Sequence, residues 1–337
     1  MPGSEMAKLV AAYGSSHSVM LTATEEDWKN GFKVADKTNP WLFDRQGNET
    51  TYDKLVEMAS TGPAVDVSSA RMSERYNEAQ AAMAHMGELL ENAPIDVLII
   101  CGDDQHELFR MTNMPPIAIY YEPTIRNVKR VITPDMGWYK VAQAQRQEAV
   151  EDVDYPVDSK LATWLIRQLS DRDFDITGLK GLEPGKGEGH AMSFIHHKYM
   201  TKRRIPIVPI LLNTFDPPNQ PTPKRCIQLG AALRELIAAY PEDIRVGILA
   251  SGGLSHFVVD EDLDLKVIDG IRRRDYGFLG GIDAKLLQAG SSEIRNWIAV
   301  AECARDLELG WVKYIPGYRT PAQTGTGLCF AEWKPKA

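Results

Sequence analysis

The sequence predicts an α/β fold: one large domain, with a central mixed sheet flanked by helices and the active site at strand carboxyl ends. Three observations predict it. Short apolar runs of strand length alternate with longer stretches of helical periodicity. Two of those runs end in the same shape, glycine then serine then histidine. No internal repeat or long linker divides the 337 residues, a length that suits one large α/β domain.

Composition narrows the class. Hydrophobic residues make up 44% and charged residues 25%, as in a soluble globular protein. No run of eighteen apolar residues is present, so no membrane span is expected. The net charge of −8 argues against nucleic acid as a partner. The N-terminus lacks a basic segment followed by an apolar core, so a cytoplasmic location is expected. Cys101, Cys226, Cys303 and Cys329 are far apart and form no CxxC pair. They read as reduced, buried thiols, and a cysteine zinc site is excluded.

The elements follow in order. Residues 7–13 form a short apolar strand that ends in Gly14-Ser-Ser-His17. Residues 22–62 are polar and irregular, with a capped short helix at 24–28 and a small hairpin at 42–52. An insertion of this length after a first strand is expected to form a rim over a site. Met72, Tyr76, Ala79, Met83, Met86 and Leu90 recur at helical spacing, which predicts a helix over 69–92 with a packed methionine stripe. Residues 95–101 are a second buried strand, running into Gly102-Asp-Asp-Gln-His-Glu-Leu-Phe109. Capping accounts for Asp103 and Asp104, less well for His106. A strand at 117–121 and a polar connection over 124–155, with Arg126, Lys129 and Arg130, come next.

The second half repeats the alternation. A helix is predicted over 156–169. The glycine-rich stretch 178–189 fails as a phosphate loop, because Gly185-Lys186 is followed by Gly187 and not by Ser or Thr. His190 closes it, and His196 and His197 follow. Residues 205–212 are a third strong strand. The loop 213–223 holds four prolines and is neither helix nor central strand. A helix over 226–240 precedes the strand 244–249, which ends in Gly252-Gly-Leu-Ser-His256. Residues 260–274 and 282–288 read as helical. Ser291 or Ser292 caps a further helix, with Glu293 in its first turn. Strands at 309–315 and 328–333 finish the chain.

Histidines at three strand ends (17, 106 and 256) and Glu293 at a helix start form the candidate constellation. Two imidazoles and one carboxylate on one face of an ion leave open positions opposite, the geometry of non-haem Fe(II) and oxygen chemistry. A further histidine beside such an ion can move protons near neutral pH. One shared ion demands that the His17 imidazole and the Glu293 carboxylate lie within about 6 Å of each other, given bond lengths near 2.0–2.2 Å. A zinc or manganese hydrolase on the same ligands, and a non-enzymatic binding relative, are the rival readings.

Four motifs carry a resemblance. Gly14-Ser-Ser-His17-Ser, Gly252-Gly-Leu-Ser-His256, Ser292-Glu293-Ile-Arg-Asn-Trp297 and Tyr318-Arg-Thr-Pro-Ala-Gln-Thr-Gly-Thr-Gly327 resemble class III extradiol ring-cleavage dioxygenases. Within that group they are most similar to protocatechuate 4,5-dioxygenase catalytic subunits and the single-chain gallate and 3-O-methylgallate dioxygenases. The resemblance implies a single catalytic domain over 1–337, Fe(II) as cofactor, O2 and a catecholic substrate as partners, and a homodimer. It implies His17 and Glu293 as iron ligands and His256 as the proton carrier. It implies a second active-site histidine at His190, with His197 as the fallback. For the remaining ligand, strict register against the family's Phe points to Gln105, whereas chemistry favours His106, one residue on. A carboxylated substrate requires a cation, and Arg319, Arg295 and Arg126 are the candidates.

Overall fold

A computed structural model describes residues 6–336. The central apolar runs become strands because they are buried on both faces of one mixed sheet. In chain order the strands are β1 Lys8–Ser15, β2 Val97–Asp103, β3 Ile117–Tyr120, β4 Thr124–Asn127, β5 Val153–Pro156, β6 Thr177–Leu179, β7 Ile207–Leu212, β8 Arg245–Ser251, β9 His256–Val258, β10 Glu308–Tyr318 and β11 Thr324–Lys334. The main sheet runs β10-β11-β1-β8-β2-β7-β3-β6, with β9 added against β11. β4 and β5 form a separate two-stranded ribbon.

Four neighbouring strands, β1, β8, β2 and β7, are parallel. Their register aligns their carboxyl ends: Ser15 faces Ser251, Cys101 faces Ala250, and Asp103 faces Leu212. Residues that leave these strands therefore converge, as expected at the carboxyl edge of an open α/β sheet. β11 returns antiparallel to β1, and β3 antiparallel to β7, so the sheet is mixed.

Helices cover both faces. Ser69–Glu91 begins where the Ser68 side chain accepts from Arg71 N, and it buries Met72, Ala79, Met86 and Leu90. Pro223–Ala239 and Ile294–Cys303 pack on the other face, with Leu229, Leu233, Ile298 and Val300 in one apolar cluster with the sheet. Close approach of Ile294–Cys303 depends on Gly14: a Cβ there would lie 2.3 Å from Trp297 Cζ3.

Three sequence readings change. The stretch 124–155 is not a plain connection, for it holds β4 and the helix Trp138–Ala144. Residues 282–288 hold only the short turn Ala284–Leu286 instead of a helix. At 42–52 the hairpin reduces to a single bridge, Phe43 with Glu49, around a turn in which the Asp44 carboxylate accepts from Gln46 N and Asn48 N.

The 22–62 segment is tied down by a buried ion pair. Arg319 donates Nε and Nη2 to the two carboxylate oxygens of Asp36 at 3.0 and 2.9 Å, and Thr324 Oγ1 donates to Asp36 Oδ2 at 2.6 Å. Both charged side chains are 4% exposed. Removing one partner strands the other charge in the interior. Asp36→Ala is therefore expected to destabilise the fold by about 3–5 kcal/mol, measured by urea unfolding.

Candidate metal centre

His17, Asp103, His190 and Glu293 each place one ligand atom within 4.8 Å of all the others. All four are buried. His17 lies two residues past β1, Asp103 ends β2, His190 opens the helix His190–Tyr199, and Glu293 ends a tight turn that leads into Ile294–Cys303. Parallel register brings the first two together, and the Trp297 and Asn296 side chains fix the last. Trp297 Nε1 donates to the Gly252 carbonyl at 2.9 Å, and Asn296 Nδ2 donates to the Ser251 carbonyl at 3.0 Å.

Each imidazole is oriented from behind. Ser251 Oγ donates to the Ala191 carbonyl at 2.7 Å, so its proton is committed. It therefore accepts from His17 Nδ1 at 2.9 Å. That fixes the tautomer and turns the His17 Nε2 lone pair into the cluster. His190 Nδ1 lies 2.6 Å from Glu107 Oε2, and the His190 backbone N–H also donates to that carboxylate. Its Nε2 faces His17 Nε2 at 3.1 Å. Burial works against a charged imidazole, yet Glu107 and Asp103 outweigh it and push His190 up to about 9. The Glu107 carboxyl, raised by burial, is held down to about 2 by His190.

The carboxylates complete the centre. His17 Nε2 is 3.5 Å from Glu293 Oε1 and 3.7 Å from Asp103 Oδ1. Gly253 N donates to Glu293 Oε2 at 2.5 Å. Burial and the Glu293 charge push Asp103 up, while His256 and His17 hold Glu293 low against its burial. Asp103 Oδ1 is buried without a hydrogen-bond partner. A buried, unpartnered carboxylate oxygen beside two imidazole nitrogens is a costly arrangement that a divalent cation relieves. The donor set, nitrogen and oxygen without sulfur, suits non-haem Fe(II), and equally zinc or manganese.

His256 stands next to this cluster. Its Nδ1 donates to the Leu254 carbonyl at 2.8 Å, since a carbonyl only accepts. Nε2 points at Glu293 Oε1, 3.2 Å away. Burial opposes its charge, and Glu293 overrides burial to raise its proton affinity. The preceding residue is clamped. Ser255 donates its N–H and Oγ to Asp264 at 2.8 and 2.7 Å, and burial raises that carboxyl to about 7. Two glycines make the approach. A Cβ on Gly290 would lie 1.8 Å from His256 Cδ2. Gly252 has φ +153° and leaves no room for a Cβ beside Glu293. The insertion reaches the same place, for Phe43, Asp44 and Arg45 line a small cavity with His256.

Not every expected residue comes to the site. His106 does not join the cluster. Its backbone is left-handed at φ 64°, its side chain is half exposed, and its Nε2 lies 3.0 Å from Asp216 Oδ1 in the proline loop. Gln105, one residue earlier, turns the other way. Its Nε2 donates to Asp103 Oδ2 at 3.1 Å and lies 3.5 Å from Glu293 Oε1. His197 lies away from the cluster, 3.9 Å from Glu148 Oε2.

The three candidate arginines are all committed elsewhere. Arg319 holds Asp36. Arg295 gives its donors to the carbonyls of Pro221 and Leu287, and Arg126 pairs on the surface with Asp154. The sequence reading missed Asp103 as a potential ligand, since capping explained it. It missed Glu107 as the support of His190.

The open α/β sheet thus carries, at its parallel strand ends, a buried imidazole–carboxylate cluster of a kind that could hold a metal ion. The comparisons narrow the class. Residues 142–268 match the family model described as the catalytic LigB subunit of aromatic ring-opening dioxygenase. A 150-residue stretch is 31% identical to gallate dioxygenase of Pseudomonas putida, covering 40% of this chain and 41% of that protein. A 197-residue stretch is 24% identical to 2,3-dihydroxyphenylpropionate/2,3-dihydroxicinnamic acid 1,2-dioxygenase of Mycobacterium ulcerans, covering 58% and 55%. The chain thus spans about two fifths to just over half the length of these relatives. A 113-residue stretch is also 30% identical to tetraacyldisaccharide 4'-kinase of Hamiltonella defensa, covering 34% and 32%. The glycine-rich stretch 178–189 lacks the lysine–hydroxyl pair that a phosphate loop needs. Over these stretches the chain is similar to aromatic ring-opening dioxygenases.

Proposed function

We propose that this chain is an Fe(II)-dependent extradiol dioxygenase that opens a catecholic ring of the gallate, 3-O-methylgallate or protocatechuate type. The observation that carries this reading is the buried group His17, His190, Asp103 and Glu293 with the His256 imidazole against it. His17 and Glu293 hold the ion, with His190, Asp103 and the Gln105 amide beside them as the further groups within reach. Bound ferrous iron would supply open coordination positions and a path for electrons from the bound catechol to O2. Both oxygen atoms enter the product as a ring carbon–carbon bond beside a hydroxyl-bearing carbon breaks.

The chain's own contribution is orientation and proton placement. With Nδ1–H committed to the Leu254 carbonyl, His256 accepts the phenolic proton at Nε2 and returns it to the opened ring. Ser251 and Glu107 keep the Nε2 atoms of His17 and His190 aimed inward. Residues 22–62 form the rim that keeps water from His256, within a single catalytic domain. A cytoplasmic homodimer goes with this reading, and a light-scattering mass of twice the chain supports the dimer.

The test is anaerobic loading with Fe(II), followed by oxygen uptake with each of the three catechols. The expected result is stoichiometric O2 consumption and a coloured ring-opened product from at least one. Turnover without O2 consumption supports a metal hydrolase on the same ligands instead. No product from any of them counts against ring cleavage.

A further inference from the structure

A cavity of about 510 Å³ lies against His190 and Glu107, and His256 is not among its lining residues. Arg146, Lys140 and Lys186 line it, together with Glu107 and Glu188. Its anions already have partners. Glu107 holds His190 at 2.6 Å, and Glu188 holds His196 at 2.8 Å. Its cations do not match them. Arg146 is only 9% exposed, yet its Nε has no hydrogen-bond partner. Among the described residues, no ion pair holds its guanidinium, unlike those of Arg319 and Arg126. Lys140 and Lys186 add positive charge at the exposed rim. The chain as a whole is acidic, at −8, so this local surplus of cations is an exception to its surface.

Leaving a guanidinium nitrogen buried without an acceptor is costly, and an anion supplied from the cavity removes the cost. Glu107, Glu293 and Asp103 are near enough to pull on its charge, but the pull comes from charges already engaged with the two imidazoles. A planar fork of donors beside a cavity matches a carboxylate in particular.

We propose that Arg146 is the specificity-determining residue of this site, taking the carboxylate of an aromatic acid whose ring lies between this cavity and the cluster. The assignment rests on the ring-cleaving reading for what happens at the other end of the ring. It is preferred to Arg319, Arg295 and Arg126, each of which already gives two nitrogens to protein acceptors.

The experiment is calorimetric titration without oxygen, using 3,4-dihydroxybenzoate and catechol as probes, with Fe(II)-loaded and chelator-treated protein. Wild type is expected to bind the acid more tightly than catechol. Arg146→Gln is expected to weaken the acid by roughly 10- to 100-fold, the span of a hydrogen bond to a charged group, and to change catechol less than about threefold. Arg146→Lys, which keeps the charge and loses the fork, is expected to fall between them and guards against a misfolded glutamine variant. Equal weakening of both probes, or no preference for the acid in wild type, overturns the assignment. Oxygen uptake separates the two readings. Acid selectivity that depends on Arg146 without oxygen consumption defeats ring cleavage alone. Ring cleavage with unchanged acid binding in Arg146→Gln defeats the Arg146 assignment alone.

Discussion

Replacing His256 with alanine is expected to lower turnover by about 10²- to 10⁴-fold while iron stays bound, the usual contribution of a positioned acid–base group. The expectation follows from how the ring is held. Nδ1 is spent on the Leu254 carbonyl, so Nε2 is the atom that takes up and gives back a proton, and it faces the cluster at Glu293 Oε1. The ring is packed against Gly290 so closely that no Cβ fits there. Gly290→Ala is therefore expected to displace the imidazole and reproduce much of the loss with His256 still present. Iron content by inductively coupled plasma spectrometry and steady-state oxygen uptake check both variants. A His256→Ala protein that loses its iron makes His256 a ligand and not the proton carrier.

The second large effect belongs to Glu293. Its carboxylate accepts from Gly253 N, lies 3.5 Å from His17 Nε2, and is kept ionised by His256 and His17 against burial. Of the two carboxylates in the cluster, Glu293→Ala removes the one that its surroundings hold low, and leaves Asp103 facing the imidazoles. Wild type is expected to gain about 4 kcal/mol of unfolding free energy when free Fe(II) reaches 1,000 times its dissociation constant. The alanine variant is expected to gain almost none. Anaerobic thermal unfolding with and without Fe(II) reads this directly. It is independent of turnover, so it separates loss of the ion from loss of chemistry.

The sheet was largely legible because its strands are buried on both faces and stand out as apolar runs. Residues 95–101 and 205–212 became β2 and β7 within two residues at either end. The short strands β4, β5, β6 and β9 were not legible. They have three or four residues each, and their pairing partners are set by tertiary contacts. Among site residues, His17, His256 and Glu293 announced themselves through glycine–serine turns at element ends. His190 drew notice only as the close of a glycine-rich loop.

His106 and Gln105 show where a one-dimensional reading runs out. Chemistry favoured the imidazole and register favoured the amide. The left-handed backbone at His106 sends the two side chains in opposite directions. Arg146 gave no signal at all. It lies in a polar stretch without periodicity, and only burial and the absence of a partner for its Nε distinguish it. The partners of the other candidate arginines were hidden too, since sequence does not show that an arginine already has an acceptor. Asp36 is 283 positions from Arg319.

The most direct measurement is anomalous diffraction at the iron edge from crystals grown anaerobically with Fe(II). The expected result is one peak per chain, about 2.0–2.2 Å from both His17 Nε2 and a Glu293 carboxylate oxygen, with His256 outside bonding distance. A peak elsewhere, such as between His106 and Asp216, or no peak at full iron loading, contradicts a centre built on His17 and Glu293.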